Sequence, residues 1–333
     1  RMGMVSTGIW GTTRRVLGAL TNHSVLLVVL LIAFDWYSFV TMFHFDFLRR
    51  PEQAAAELRS PDTWLEVLAF TYVVAMILWA YFRTILTSSH VKNNPPVPDE
   101  LSEKERAAIS ICVRCAEKKP KRTHHCSVCR TCVLKMDHHC PWVANCVGAR
   151  NYKYFVLFVT YAWLGCSVYT YHARPVLRDL LGSELSEAPA HVTEIVCSLC
   201  TALFAFLLTF FMLFHLYLIS INKTTLEYMG RSPSTYHKGS ILANFEDVFG
   251  PLSWRWLVPI PSTGVPSGWS YSRELEAGSG SSGDLEDGLQ TMTVPSAIAD
   301  AVLVRRPQQQ GTQQILANKA DSRSSRLSSI IKS

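Results

Sequence analysis

One cysteine–histidine pattern limits what this chain can fold into more than any other feature. Cys112, Cys115, His125 and Cys132 follow the spacing C-x2-C-x9-H-x6-C, and Cys126, Cys129, His139 and Cys146 repeat it fourteen residues later. Each copy offers three thiolates and one imidazole, the closed tetrahedral set preferred by structural zinc. Soft sulfur donors disfavour calcium and magnesium. The stretch has too little apolar content to fold by burial alone, so two structural Zn2+ ions are expected to supply much of its folding energy. A sequential grouping such as Cys112, Cys115, His124 and Cys126 is the rival pairing, because His124 and His138 stand beside the chosen histidines. Seven of the ten cysteines lie in this stretch, crowding that reads as metal binding in a reducing compartment and not as a disulfide framework.

Four apolar runs, 24–43, 63–82, 154–173 and 195–221, hold most of the remaining information. Each approaches the ~20 residues that cross a ~30 Å hydrocarbon core as a helix. Charged residues make up 17% of the chain, against about 25% in soluble domains. The deficit sits in those runs, which excludes a soluble enzyme, a disordered scaffold or a secreted disulfide module. The first run is too long for a cleavable signal peptide and lacks a small-residue cleavage site. The short loops 44–62 and 174–194 carry five basic residues, and the segment 83–153 alone carries thirteen. By the positive-inside rule that segment and both termini face the cytosol.

The expected fold class is therefore an all-α membrane protein: four transmembrane helices, with a cytosolic cysteine-rich two-zinc domain between helices 2 and 3. The expected order is a cytosolic leader (1–23), helices 1 and 2 (24–82), the zinc domain (83–153), helices 3 and 4 (154–221), a cytosolic C-terminal region (222–261) and a disordered Gly, Ser and Gln-rich tail (262–333). The Asn- and Pro-rich stretch 93–98 breaks any helix leaving the second run. Asp35 and His215 are ionisable groups at membrane depth, where structural pairing is the expectation.

The repeat leaves Cys140 and His138 unused. They lie in Asp137-His138-His139-Cys140-Pro141-Trp142. A free thiol, with a pKa of about 8.5, is mostly protonated at neutral pH. A nearby imidazole accepts its proton, and a carboxylate fixes that imidazole's tautomer. Cys140, His138 and Asp137 have the parts of an activated nucleophile; the alternative is that Cys140 is a spare zinc ligand and His138 a surface residue.

The motif Asp137-His138-His139-Cys140, inside a cysteine-rich segment between the second and third of four spans, resembles the DHHC protein S-acyltransferases (palmitoyltransferases). The resemblance covers about residues 20–260 and is carried by RTHHCSVCRTCVLKMDHHCPWVANCVGARNYKYF, by Thr224-Thr225-Leu226-Glu227 as a TTxE motif, and by Asn244-Phe245-Glu246-Asp247-Val248-Phe249-Gly250. It implies that Cys140 is the nucleophile, His138 its base and Asp137 the group that orients His138. It also implies the zinc pairing of the repeat. Thr224 and Thr225 would lie near the triad, with Thr225 the better candidate to hold Asp137, and Asn244 would brace the C-terminal region against the membrane domain. Ala144 stands where many members carry asparagine, and Asn94-Pro95-Pro96 replaces the usual Asp-Pro-Gly turn.

The implied reaction moves a long-chain acyl group, palmitoyl, from acyl-CoA to Cys140 and then to a substrate protein's cysteine. Thioester exchange is nearly isoenergetic, so the protein mainly supplies proximity and a deprotonated thiol. The implied partners are the bilayer, acyl-CoA and proteins with cytosolic juxtamembrane cysteines, in a Golgi, ER or plasma membrane. Lys118, Lys119, Lys121, Arg122 and Lys135 are candidates to attract the CoA phosphates. A nucleic-acid role is disfavoured, because the zinc segment is tethered to membrane spans at both ends. The competing class is a membrane-anchored zinc interaction module without catalysis, which leaves Asp137, His138 and Cys140 without purpose.

Overall fold

The computed structural model describes residues 21–44, 52, 56, 58, 60–91, 97, 99, 103–107, 109–181, 192–231 and 236–262. The expectations for the leader, for most of the stretch 93–98 and for the tail lie outside the described residues. Asn22 starts the first helix, α1 (His23–Phe39), by accepting hydrogen bonds from the Ser24 and Val25 N–H groups at 3.0 and 3.4 Å, as an N-cap side chain does. A π-turn, Val40–His44, ends it. Helix α2 (Pro61–Leu86) opens with a proline in its first turn, where no amide hydrogen is needed. After the short α3 (Glu103–Ala107) and the cysteine-rich segment come α4 (Tyr152–His172), α5 (Arg174–Leu181) and α6 (Val192–Ser220), then the short α7 (Thr225–Met229) and α8 (Ile241–Phe249).

Helices α2 and α6 are long and apolar enough to cross a membrane, and α1 is a shorter apolar helix. Helix α4 packs between α2 and α6. It comes close to α2 at Gly165, where an added Cβ would lie 3.3 Å from Ile77. The outer faces stay apolar and uncovered: Leu27, Leu30 and Phe34 on α1, Leu65 and Leu68 on α2, Leu203, Phe206 and Phe210 on α6. Two polar pairs lie inside the bundle. Thr201 donates to Asp35 at 3.3 Å, and Tyr152 lies 3.0 Å from His215.

The cysteine-rich segment departs from the all-α expectation. It folds as three antiparallel hairpins, β1 (Ser110–Ile111) with β2 (Lys118–Lys119), β3 (His124–Cys126) with β4 (Thr131–Val133), and β5 (His138–Cys140) with β6 (Asn145–Val147). The register pairs Ser110 with Lys119, His124 with Val133 and His138 with Val147, so the hairpins repeat every fourteen residues. Their turns repeat as well: Ala116, Arg130 and Ala144 all have positive φ, at 54°, 53° and 47°. Strands of two or three residues carry too little alternation to announce themselves in sequence.

Asparagines join this module to the helices. The last carbonyls of a helix have no partner within it. The Asn145 side-chain N–H2 donates to the Thr84, Ile85 and Thr87 carbonyls at 3.0–3.1 Å. Asn151 donates to Thr84 and Thr87 at 3.2 and 3.0 Å and to Cys146 at 2.9 Å. Its oxygen accepts from the Gly148 N–H at 2.8 Å. Gly148 itself is pressed against the residue that follows β4, since a Cβ there would sit 2.6 Å from the Leu134 carbonyl oxygen. The same device recurs at the end of α6, where Asn244 donates to the Ser220 carbonyl at 2.6 Å.

Replacing Asn145 by alanine strands buried carbonyls and is expected to cost about 1–3 kcal/mol. Ala144→Gly relieves the left-handed conformation and is expected to add about 1 kcal/mol. Thermal unfolding of the detergent-purified protein checks both; equal melting temperatures for wild type and Asn145→Ala would contradict the capping role.

Candidate active site and metal centres

Hairpin register explains how the two donor sets interleave. His125 lies opposite Cys132, and His139 opposite Cys146. Neighbouring strand residues point to opposite faces, so Cys126 turns away from His125 and joins the next set. The structure gathers Cys112, Cys115, His125 and Cys132 in one quartet and Cys126, Cys129, His139 and Cys146 in another, with donor atoms within 4.8 Å of one another. The sequential grouping through His124 is not assembled; His124 is exposed at its strand edge.

The quartets fit zinc. A tetrahedral centre with bonds of about 2.3 Å to sulfur and about 2.0–2.1 Å to nitrogen has donor–donor edges of about 3.6–3.8 Å. The observed edges include 3.2 and 3.7 Å from His125 to Cys115 and Cys112, and 3.4–3.7 Å from His139 to Cys129, Cys146 and Cys126. Burial, with the crowding of Cys112 and Cys115, pushes the Cys132 thiol up to about 12. Burial together with Cys129 and Cys126 raises Cys146 likewise. Thiolates packed this tightly need a cation among them.

The third hairpin has no such set. Cys140 stands fourteen residues after Cys126, in the first-donor position, but Val143 occupies the place of Cys115 and Cys129. Its sulfur is outside both quartets. Instead Cys140 is buried in a core formed with Val25 of α1, Ala80 and Tyr81 of α2 and Phe155 of α4. The alternation of β5 puts His138 on its face, with His139 turned to the metal quartet.

Asp137 ties the start of β5 to the segment after α6. His138 Nδ1 lies 2.7 Å from its carboxylate, the Thr225 N–H donates at 2.8 Å and the Thr225 hydroxyl at 2.9 Å. Burial pushes the Asp137 carboxyl up, yet His138 and the Thr225 N–H outweigh it and hold it below the usual range. Burial pulls His138 down, but Asp137 and Cys140 more than offset this and push it up to about 9. The site can therefore hold an imidazolium at His138 beside the Cys140 sulfur. Thr224 works at one remove: it accepts from the Glu227 N–H at 3.2 Å while Glu227 accepts from the Thr224 N–H at 2.9 Å, a capping box that starts α7.

Residues 105–232 match the family described as DHHC palmitoyltransferase. A probable protein S-acyltransferase 12 of Arabidopsis thaliana is 32% identical over 255 residues, covering 72% of this chain and 86% of that protein. The chain belongs to the DHHC palmitoyltransferase family. Palmitoyltransferase ZDHHC15A of Danio rerio is 30% identical over 274 residues, with 72% and 80% covered, and palmitoyltransferase ZDHHC15 of Xenopus laevis is 31% identical over 298, with 75% and 81% covered.

Within this DHHC protein, two of the basic residues expected to meet CoA phosphates face inward. The Arg122 side chain is 0% exposed. It donates through Nε and Nη2 to both Glu227 oxygens at 2.7 and 2.6 Å, and through Nη1 to Asn222 at 2.9 Å. Lys135 Nζ is 2.6 Å from Asp247 and its side chain is 7% exposed. A buried charge needs its partner, so both are committed to clamping the zinc module onto the segment after α6. That is a correction to their expected role. Lys118, Lys119 and Lys121 stay at least partly at the surface. The sequence reading missed this clamp, although Thr224-x-x-Glu227 is a recognisable capping box.

Burial pushes the Glu227 carboxyl up, but the Arg122 guanidinium outweighs it and holds it low. A lowered carboxylate stabilises the fold above its unfolded value of about 4.3, and the contribution is lost as pH falls through the native value. Glu227→Gln is expected to cost about 3–5 kcal/mol at neutral pH, because Arg122 stays buried without its counter-charge. Thermal unfolding should show that gap shrinking as the pH is lowered; a gap independent of pH would contradict the ion-pair account.

Proposed function

We propose that this protein palmitoyltransferase carries its acyl group on Cys140, with His138 as proton acceptor and donor and Asp137 as the group that orients it. The observation that carries the reading is the 2.7 Å contact of Asp137 with His138, on the strand that also bears Cys140. In the first step the Cys140 thiolate attacks the thioester carbonyl of acyl-CoA. The carbon–sulfur bond to CoA breaks, and the CoA thiolate takes the proton held by His138. In the second, a substrate cysteine gives its proton to His138, its sulfur attacks the Cys140 thioester, and the Cys140 thiolate is released. Thr225 acts through Asp137 and is a positioning residue, as are Thr224 through Glu227 and Asn244 through the end of α6. Zinc held by the two quartets would supply structural rigidity to the hairpins and leave the reacting sulfur alone.

The chain is read as four spans, α1, α2, α4 and α6, with the segments 83–153 and 222–261 and both termini in the cytosol of an endomembrane or plasma membrane. The apolar outer faces of the helices and the basic middle segment support this. Cys140 packs where α1, α2 and α4 meet the hairpins, so a thioester bound there has its acyl chain directed toward the helices. Each methylene so buried contributes about 0.8 kcal/mol. Lys118, Lys119 and Lys121 are the basic side chains left to meet CoA phosphates, and the acceptors are proteins with cysteines beside the cytosolic membrane surface.

Labelled palmitoyl-CoA should give a hydroxylamine-sensitive adduct with the wild type and none with Cys140→Ser. Asp137→Asn leaves burial free to lower the His138 pKa, so adduct formation at neutral pH should fall about 10²-fold or more. It should partly recover at alkaline pH, where solvent hydroxide takes the proton in place of His138. An undiminished adduct in Cys140→Ser would reject the assignment, and a flat ratio of Asp137→Asn to wild type across pH would reject the role given to Asp137.

A further inference from the structure

We propose that His44, Glu66 and His172 form a third metal site, for a divalent ion of the zinc type, at the end of the helix bundle opposite Cys140. His44 closes the π-turn after α1, Glu66 lies in the second turn of α2, and His172 ends α4. Cys140 packs instead against Ala80 and Tyr81 near the far end of α2 and against the first turns of α4. The three side chains thus come from three helices remote from the hairpins, and the acyl-transfer chemistry uses none of them.

The donor atoms converge. All three lie within 4.8 Å of one another. One Glu66 oxygen, Oε2, is 3.7 Å from His44 Nε2 and 3.9 Å from His172 Nδ1. Those separations are too long for hydrogen bonds. They fall in the 3.2–4.0 Å range of the donor–donor edges in the two Cys3His quartets. Bonds of about 2.0–2.2 Å to nitrogen and oxygen require edges of about 3.3–3.5 Å, so bringing both Glu66 edges to that length takes a movement of a few tenths of an ångström. Glu66 can supply it, being 50% exposed, whereas the His44 side chain is only 7% exposed.

Both imidazoles are fixed against one aromatic ring. Phe39 lies edge-on to His172 at 5.1 Å and tilted to His44 at 5.2 Å, and it stacks on Phe70 of α2 at 3.9 Å. Two imidazoles and a carboxylate with a fourth position left to water is a donor set that binds zinc and similar borderline ions. Bound there, the ion links α1, α2 and α4 at the end of the bundle where no hairpin holds them. The alternative occupant of the same geometry is a proton, giving a histidine–glutamate ion pair.

Metal content separates the two. Full-length protein in detergent is saturated with zinc chloride, desalted and measured for zinc per chain, beside Glu66→Gln and the double variant Glu66→Gln/His172→Asn. The expected result is one more equivalent in the wild type than in the double variant, which keeps the zinc of its two Cys3His quartets. Added zinc should also raise the melting temperature of the wild type and not of the double variant. Glu66→Gln alters an exposed side chain, so it reads out the site even if the double variant fails to fold. Equal zinc per chain in wild type and Glu66→Gln, with no difference in their thermal response to zinc, would overturn the proposal.

Discussion

The chemistry of this chain depends on the two-sidedness of a three-residue strand. In His138–Cys140, adjacent side chains must leave on opposite faces. His139 goes to the metal quartet opposite Cys146, and His138 and Cys140 go to the side where the helices end. A residue inserted between Asp137 and Cys140 would exchange those faces. The zinc quartets matter because they fix the register of a strand too short to fix itself. Structural zinc typically contributes on the order of 10 kcal/mol to such a fold, far more than the few ladder hydrogen bonds of each hairpin.

From that strand the constraint spreads outward through buried polar contacts. Asp137 is gripped by Thr225 from the segment beyond α6. Thr225 is positioned because Thr224 and Glu227 cap each other, and Glu227 is held by Arg122 from the turn before β3. Asn145 and Asn151 anchor the same hairpin to the end of α2, and Asn244 anchors the C-terminal region to the end of α6. Apart from the local Thr224–Glu227 cap, these links join segments apart in sequence, so Cys140 and His138 are oriented by contacts that local folding alone cannot make. Small structural changes at Arg122 or Asn145 should therefore reach the site without touching it.

Much of this was legible in the residues. The fourteen-residue offset located both quartets and left Cys140 over, because metal donors are few in type and their spacing is rigid. The apolar runs matched the helices closely: 63–82 lies within Pro61–Leu86, and 195–221 overlaps Val192–Ser220. The third hairpin stayed hidden because its copy of the repeat has lost its second cysteine at Val143. The inward turn of Arg122 and Lys135 was hidden for a different reason. A basic side chain reads the same in sequence whether it meets a phosphate or a buried carboxylate, and Glu227 and Asp247 lie over a hundred residues away. The Asn145 and Asn151 caps were equally silent, since their acceptors are backbone carbonyls that carry no sequence signature.

The central claim is that the Cys140 sulfur is spared from metal and free to react. X-ray absorption at the zinc edge measures this directly, by counting sulfur neighbours at about 2.3 Å in the wild type and in Cys140→Ser. The account predicts the same sulfur count per zinc in both proteins. A fall in that count on replacing Cys140 would place its sulfur on zinc and contradict the account.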